Sequence, residues 1–354
     1  MAATMKDIAK ETGLGLATIS SYLNGGNVRE KNRVKIEQAI EKLNFEVNEV
    51  ARGLKTNRTR MIGIVIPELN NIFFAEIITE LEDVLRGQGY AAMICDCRTD
   101  EKREAEAVEF LKRRRVDGMI VIPTGKSGAC LQNVMKTGKP IVMIDRRIRS
   151  VHCDTVLVDN QGAAEDAIRR LIAAGHRRIG MIAGEQEVYT AEERFRGYVR
   201  ALEQAGIAAS ESLVVRGDYT IRGGSRGIQE LTRKNPDMTA VFISNYEMTL
   251  GAMIELNELG IRIPEEMSVI GFDNMEFARA CIPKLSIVTQ PTKELGRRAA
   301  ELMLKRLEEK EQTEFETVRL ATSFVEGRSV CRRPDTLRAA EGSEGRVQKE
   351  ERGL

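Results

Sequence analysis

Apolar residues in the first part of the chain recur at helical spacing. Ile8, Leu14, Ile19 and Leu23 can close a miniature core between a helix over Met5 to Thr12 and a second short helix from Ala17 to about Gly25. Between them lies Gly13-Leu14-Gly15, where Gly13 can take the positive φ of a tight turn, and Ala9 is small where the helices must cross. A third amphipathic stretch, from about Asn32 to Leu43, is expected to bury Val34, Ile36, Ile40 and Leu43. Two short helices across a tight turn are the layout of a helix-turn-helix, with Thr18, Ser20 and Ser21 facing outwards.

From Met61 the pattern changes to short apolar runs without alternation, as in strands buried on both faces of a parallel sheet. The runs are 61–66, 91–95, 118–122, 140–144, 155–158, 178–182, 240–243, 267–272 and 285–288. Helical stretches at 74–86, 101–114, 163–174, 192–205, 249–259 and 292–309 separate them, which predicts a doubly wound α/β plan. There are too many strands for one tidy sheet, and the order restarts near Arg178, where Arg-Ile-Gly-Met-Ile-Ala-Gly echoes Met61-Ile-Gly-Ile-Val-Ile-Pro. Two similar subdomains are therefore expected. Phe73 and Phe74 follow the first strand and lie at the carboxyl edge of its sheet, where open α/β folds bind ligands.

After the third helix come Asn48-Glu-Val-Ala51-Arg52-Gly-Leu54-Lys55 and a basic tract through Arg60. Together with Lys6-Asp7-Ile8-Ala9, Ala17-Thr18-Ile19-Ser20 and Leu23-Asn24-Gly25, this resembles the lactose-repressor (LacI/GalR) family of bacterial transcription regulators. The resemblance extends to about Arg333. It implies an all-α helix-turn-helix DNA-binding domain (1–46), a hinge helix and linker (47–60) and an α/β periplasmic-binding-protein-like type I core (61–333). The chain would cross between the two core subdomains three times, giving 61–159 with 290–318 and 160–289 with 319–331.

A homodimer on a pseudo-palindromic double-stranded DNA operator is implied as well. Leu16, Ala17, Thr18, Ser20, Ser21, Tyr22 and Asn24 would meet the major groove, and Asn48, Ala51, Arg52, Leu54 and Lys55 the central minor groove, with Leu54 wedged between base pairs. A small-molecule effector (sugar, phosphosugar or nucleoside) would sit in the core cleft. The resemblance assigns Arg194 as its clamp and Asp273 as the carboxylate that accepts from it, alongside Phe73, Phe74, Asp145, Thr190, Tyr219, Asn245 and Gln290. The chain departs from the family at Gly15 (usually Ser), Ser21 (usually Arg), Ile72 (usually Pro) and Tyr246 (often Asp).

Composition refines this picture. The 354 residues suffice for two or three domains, and 42% hydrophobic with 30% charged residues describes a globular protein with no apolar run of the roughly 18 residues that a membrane span needs. The formal net charge of +1 conceals an asymmetry: residues 1–60 hold eleven Lys/Arg against seven Asp/Glu, an excess suited to a polyanion. Without a hydrophobic leader, a cytoplasmic location is expected. The six cysteines have no metal or disulfide spacing and read as reduced thiols. The two histidines point to no catalytic or metal role, His176 being read as a cap at a helix C-terminus. Thr124-Gly125-Lys126-Ser127 lacks the first glycine of a phosphate loop, and Gly13-x-Gly15 lacks the third of a dinucleotide fingerprint. No cofactor is expected. The polar stretch after Pro334 is expected to be disordered. The competing reading is a sugar-binding or sugar-modifying α/β protein whose N-terminal helices serve only association.

Overall fold

A computed structural model of the chain describes residues 3–23, 25–46, 58–124, 127–309 and 314–333, and the chain divides into two compact units at Arg60. The hinge residues Asn48, Ala51, Arg52, Leu54 and Lys55, together with Asn24 and the tail from Pro334, lie outside the described residues.

The first unit holds α1 (Met5–Thr12), α2 (Leu16–Leu23) and α3 (Glu30–Leu43). At the start of α1 the Asp7 carboxylate accepts from the Thr4 amide (2.8 Å) and hydroxyl (2.7 Å), which holds its pKa below the usual range. Gly13 closes the helix in the left-handed region (φ 68°), its amide donating to the Ala9 carbonyl. Ile8, Ile19 and Ile36 are fully buried, one from each helix. Val34 departs from expectation and is exposed, while Ala39 is buried. The inward stripe of α3 runs through Ile36, Ala39, Ile40 and Leu43, and Val34, two residues before Ile36, sits roughly 200° around the helix.

Among the described residues, the second unit contains two six-stranded sheets. The first lobe is built from β1 (Met61–Ile66), α4 (Ile72–Gly87), β2 (Ala91–Asp96), α5 (Glu101–Arg113), β3 (Gly118–Val121), α6 (Ala129–Met135), β4 (Ile141–Ile144) and β5 (Asp154–Val158). The second lobe follows with α7 (Asn160–Ala173), β6 (Ile179–Ala183), α8 (Tyr189–Gln204), β7 (Val214–Arg216), α9 (Ile221–Lys234), β8 (Ala240–Ile243), α10 (Tyr246–Glu258), β9 (Ser268–Phe272), α11 (Met275–Ala280) and β10 (Ser286–Thr289). The chain then returns to the first lobe as α12 (Thr292–Glu308) and β11 (Thr317–Leu320), and crosses last to β12 (Ser323–Val325).

Strand orders are β11-β5-β4-β3-β1-β2 and β12-β10-β9-β8-β6-β7, so the lobes share one doubly wound topology with its switch beside the first strand. Each sheet has an apolar cluster on both faces. In the first lobe α4 and α12 cover one face and α5 and α6 the other; in the second, α7 and α8 lie opposite α9 and α10. At the crossing of α9 and α10 a Cβ on Gly251 would strike the Ile221 carbonyl, so this backbone contact requires glycine.

Four expectations need correction. Arg319 and Leu320 pair with Leu157 and Val158, so the last crossing follows Leu320 rather than residue 318. The second sheet is not wholly parallel, since β12 runs antiparallel to β10, with Ser323 opposite Thr289. The chain arrives there at the carboxyl edge and can only run back. β2 lies at an edge and leaves Ile94 exposed, so its apolar run is not buried on both faces. His176 is not a charged helix cap. It is buried, with Nε2 donating to the Cys331 carbonyl (3.1 Å) and Nδ1 accepting from Thr239 Oγ1 (2.9 Å), and burial lowers its pKa. The six cysteines are free thiols.

Candidate functional site

Segments leaving the carboxyl ends of both sheets converge on a cavity of about 210 Å³. Asn71, Phe73 and Phe74 follow β1, and Asp145 and Arg146 follow β4. From the second lobe come Thr190 and Arg194 after β6, Tyr219 after β7, Asn245 after β8, Asp273 after β9 and Gln290 after β10. All nine residues assigned to the effector by resemblance thus line one cavity.

Asp145 and Asp273 occupy equivalent places in the two lobes, each just past the fourth strand of its repeat. Both have left-handed backbones (φ 63° and 62°), which Asp tolerates better than most residues. Each is pinned by the strand beside it: the Asp145 amide donates to the Val156 carbonyl (2.9 Å) and the Asp273 amide to that of Val288 (2.7 Å). The turn away from the sheet delivers both carboxyls to the cavity. Burial raises the pKa of Asp145, and burial, offset in part by Arg194 and Gln290, lifts that of Asp273 to about 6.

Arg194 is buried. Its Nε donates to Asn160 Oδ1 (2.8 Å), its Nη1 to the Ser244 carbonyl, and its guanidinium lies 3.7 Å from the centroid of the Phe272 ring. It is therefore a braced floor for the cavity, not a solvated ion pair with Asp273. The Asp273 oxygens instead both accept from Gln290 Nε2 at 3.0 Å. Phe73 and Phe74 meet edge to face and serve two purposes, belonging to the first lobe's core while lining the cavity. Asn245 caps α10, accepting from the Met248 amide (3.1 Å), so its carbonyl oxygen has a structural partner. Gly184 makes room for Tyr219, whose ring a Cβ there would strike, and burial raises the Tyr219 pKa.

Contacts across the cavity join the lobes. Asn71 caps α4 through the Phe73 amide (3.0 Å), while its Nδ2 donates to Glu247 Oε1 (3.3 Å) on α10. Burial, reinforced by Glu68, raises the Glu247 pKa. Sequence reasoning missed Asn71, Arg146, Asp218 and Tyr246, which also line the cavity. Arg146 was within reach, because it directly follows Asp145, which the resemblance had assigned to the effector.

On the helix-turn-helix unit Leu16 and Ala17 are exposed, while Thr18, Ser20 and Ser21 are half-buried. Ser21 packs beneath the Gly25-Gly26 turn, which leaves no room for a Cβ on Gly26. Tyr22 packs against the three-helix core and donates its hydroxyl to Glu37 (3.0 Å). Thr124, from the incomplete phosphate-loop pattern, instead hydrogen-bonds Glu104 through its hydroxyl (2.8 Å).

Comparison with known proteins gives concordant matches. Residues 4–48 match the model of the bacterial regulatory proteins, lacI family, and residues 168–330 that of the periplasmic binding protein-like domain. The HTH-type transcriptional repressor CytR of Escherichia coli (strain K12) is 33% identical over 308 residues, covering 87% of this chain and 90% of its own length. Among solved structures, a complex of the transcriptional regulator CelR with cellobiose superposes with a TM-score of 0.71 at 30% identity, over 92% of this chain and 99% of that one. The lac repressor dimer bound to operator and the anti-inducer ONPF has the same fold, with a TM-score of 0.82 at 23% identity over 94% and 100% of the two chains.

Proposed function

Because the chain belongs to the lacI family of bacterial regulatory proteins, and is thus a DNA-binding transcriptional regulator rather than an enzyme, we propose that it is a homodimeric repressor whose hold on a pseudo-palindromic operator is set by a small molecule in the core cleft. The observation that carries this reading is the cavity assembled from both lobes at the carboxyl edges of their sheets, in a chain that also bears a helix-turn-helix.

The cavity chemistry narrows the effector. Glu68, Asp145, Asp218 and Asp273 line it against Arg146 and Arg194, and Arg194 is already engaged by Asn160 and Ser244. Carboxylates there accept from hydroxyl or amine groups and repel phosphate, and the aromatic rings offer apolar faces. A neutral sugar or nucleoside fits better than a phosphosugar. In the DNA unit, Leu16 and Ala17 would read thymine methyls and Thr18, Ser20 and Ser21 base edges, with Tyr22 and Asn24 beside them. Asn48, Ala51, Arg52, Leu54 and Lys55 would form the paired minor-groove hinge. Such a regulator would work in the cytoplasm.

The test has two steps. A thermal-shift screen of sugars and nucleosides identifies the effector, and operator titrations with and without it follow for wild type, Arg194→Ala and Asp273→Ala. An effector favouring one lobe arrangement changes operator affinity by about 1–3 kcal/mol, roughly 5- to 150-fold. Both variants should lose that change while keeping effector-free operator binding within about threefold. A variant with full response would remove the cleft as the regulatory site.

A further inference from the structure

A second cavity, of about 290 Å³, adjoins the first and is lined by Thr124, Arg147, Ser150, Val188 and Tyr189 among others. Among the described residues Arg146 alone lines both. Its position depends on weak contacts. The guanidinium carbon lies 6.0 Å from the Phe74 ring centroid and 5.7 Å from that of Tyr219, at the outer range of cation–π attraction. Nη1 donates to the Pro123 carbonyl at 3.4 Å, and Nε is 3.4 Å from Asp145 Oδ2, without a well-formed hydrogen bond. Arg194 shows the contrast, held by a 2.8 Å bond and a ring at 3.7 Å. Arg146 thus lines both cavities, paired at 3.4 Å with the buried Asp145 and lying at the outer range of attraction to the Phe74 and Tyr219 rings.

Taking the cleft as the effector site, a reading on which this inference rests, we propose that Arg146 is the specificity-determining partition of that site. In place, it confines the effector to the first compartment, whose volume is below the roughly 300 Å³ at which ligand pockets usually begin. That suits a monosaccharide or nucleoside. Without the arginine the compartments join and the volume more than doubles, enough for a disaccharide. The second compartment is lined by the Tyr189 ring, over which Arg147 stacks at 5.3 Å, and by the hydroxyl-bearing side chains of Thr124 and Ser150.

The experiment compares wild type, Arg146→Ala and Arg146→Met as full-length proteins. Calorimetry measures their binding of D-glucose, D-galactose and D-ribose against cellobiose and lactose, and the crystal structure of Arg146→Ala is determined. Methionine keeps most of the side-chain length and removes the charge. Wild type and Arg146→Met should favour a monosaccharide over the disaccharides, and in Arg146→Ala the affinity ratio should shift at least tenfold towards a disaccharide. An unchanged ratio in Arg146→Ala, or an equal shift in Arg146→Met, overturns the partition. If no sugar binds any of the three proteins, it is the assignment of a sugar to the cleft that fails. The partition is then decided by the crystal structure, where one continuous cavity upholds it and two separate compartments overturn it.

Discussion

Asp273 illustrates how a binding residue works against the stability of its own fold. Its pKa rises from 3.8 to about 6, chiefly through burial. Between those values the folded chain keeps a proton that the unfolded chain has released. The stabilisation from this group is therefore fully present below pH 3.8 and is lost as pH rises through about 6. Asp273→Asn removes the titration while preserving shape. At pH 7.5 it should stabilise the effector-free protein by about 1–2 kcal/mol, because no charge is held in the cleft. Denaturant melts between pH 4 and 7.5 would show a flatter profile than wild type, and an unaltered profile would assign the pH dependence to other groups. Effector binding should weaken in the same variant, since an amide cannot accept on both sides as a carboxylate does. Arg194 is of a different kind. Its hydrogen bonds to Asn160 and Ser244 and its stacking on Phe272 need a planar, forked cation, which lysine does not supply.

At the scale of elements, the DNA-binding unit depends on very few contacts. Three helices meet at Ile8, Ile19 and Ile36, with Ala39 and a ring of partly buried neighbours, including Leu14, Tyr22, Leu23 and Phe45, around them. Truncating a buried isoleucine costs about 2–5 kcal/mol, a large share of what so small a unit can have. Ile19→Ala should therefore reduce operator binding at least tenfold and also weaken nonspecific DNA binding, because the helix itself loosens. The core, a separate compact unit, should keep its effector affinity. Loss of operator binding with nonspecific binding intact would show that Ile19 affects base reading rather than the fold. In the core, the shared strand order sends equivalent turns to the cleft, so one backbone solution delivers both Asp145 and Asp273.

Polar and cation–ring contacts join the two core lobes around the cavity. Asn71 reaches Glu247, Arg149 lies 3.4 Å from Glu192, Arg146 lies over Tyr219, and Arg319 is 3.4 Å from the Tyr189 hydroxyl. Of these, the exposed Arg149–Glu192 pair contributes about 0–1 kcal/mol. A ligand touching both lobes can bias their arrangement by as much as its affinity for the two arrangements differs. Glu247→Gln keeps a partner for Asn71 and removes the charge beside Glu68, so it should favour closure and tighten effector binding about two- to fivefold. Asn71→Ala should weaken it, since both the cross-lobe bond and the α4 cap are lost. Calorimetric titration of both variants checks the opposite signs. Equal weakening in the two would show that the Glu247 charge aids closure.

Local pattern was enough for much of this protein. The 3.6-residue period placed α1 to its ends, and unbroken apolar runs located nine strands within a residue or two, because each reports how one segment buries its own side chains. The helix-turn-helix was legible from Gly13 and the spacing of Ile8, Ile19 and Leu23, and the carboxyl-edge position of Phe73 and Phe74 followed from their place just after the first strand. Tertiary structure decided what depends on the neighbour. β2 is an edge, and β12 runs antiparallel because of where the chain crosses, neither of which a segment's own sequence encodes. His176 is another case, tied by the fold to Thr239 and Cys331, residues distant in sequence. So is Arg146, which only the meeting of Phe74 and Tyr219 places between two cavities. Sequence periodicity records which side of a segment is buried, whereas the identity of the burying partner is settled by packing between segments far apart in the chain.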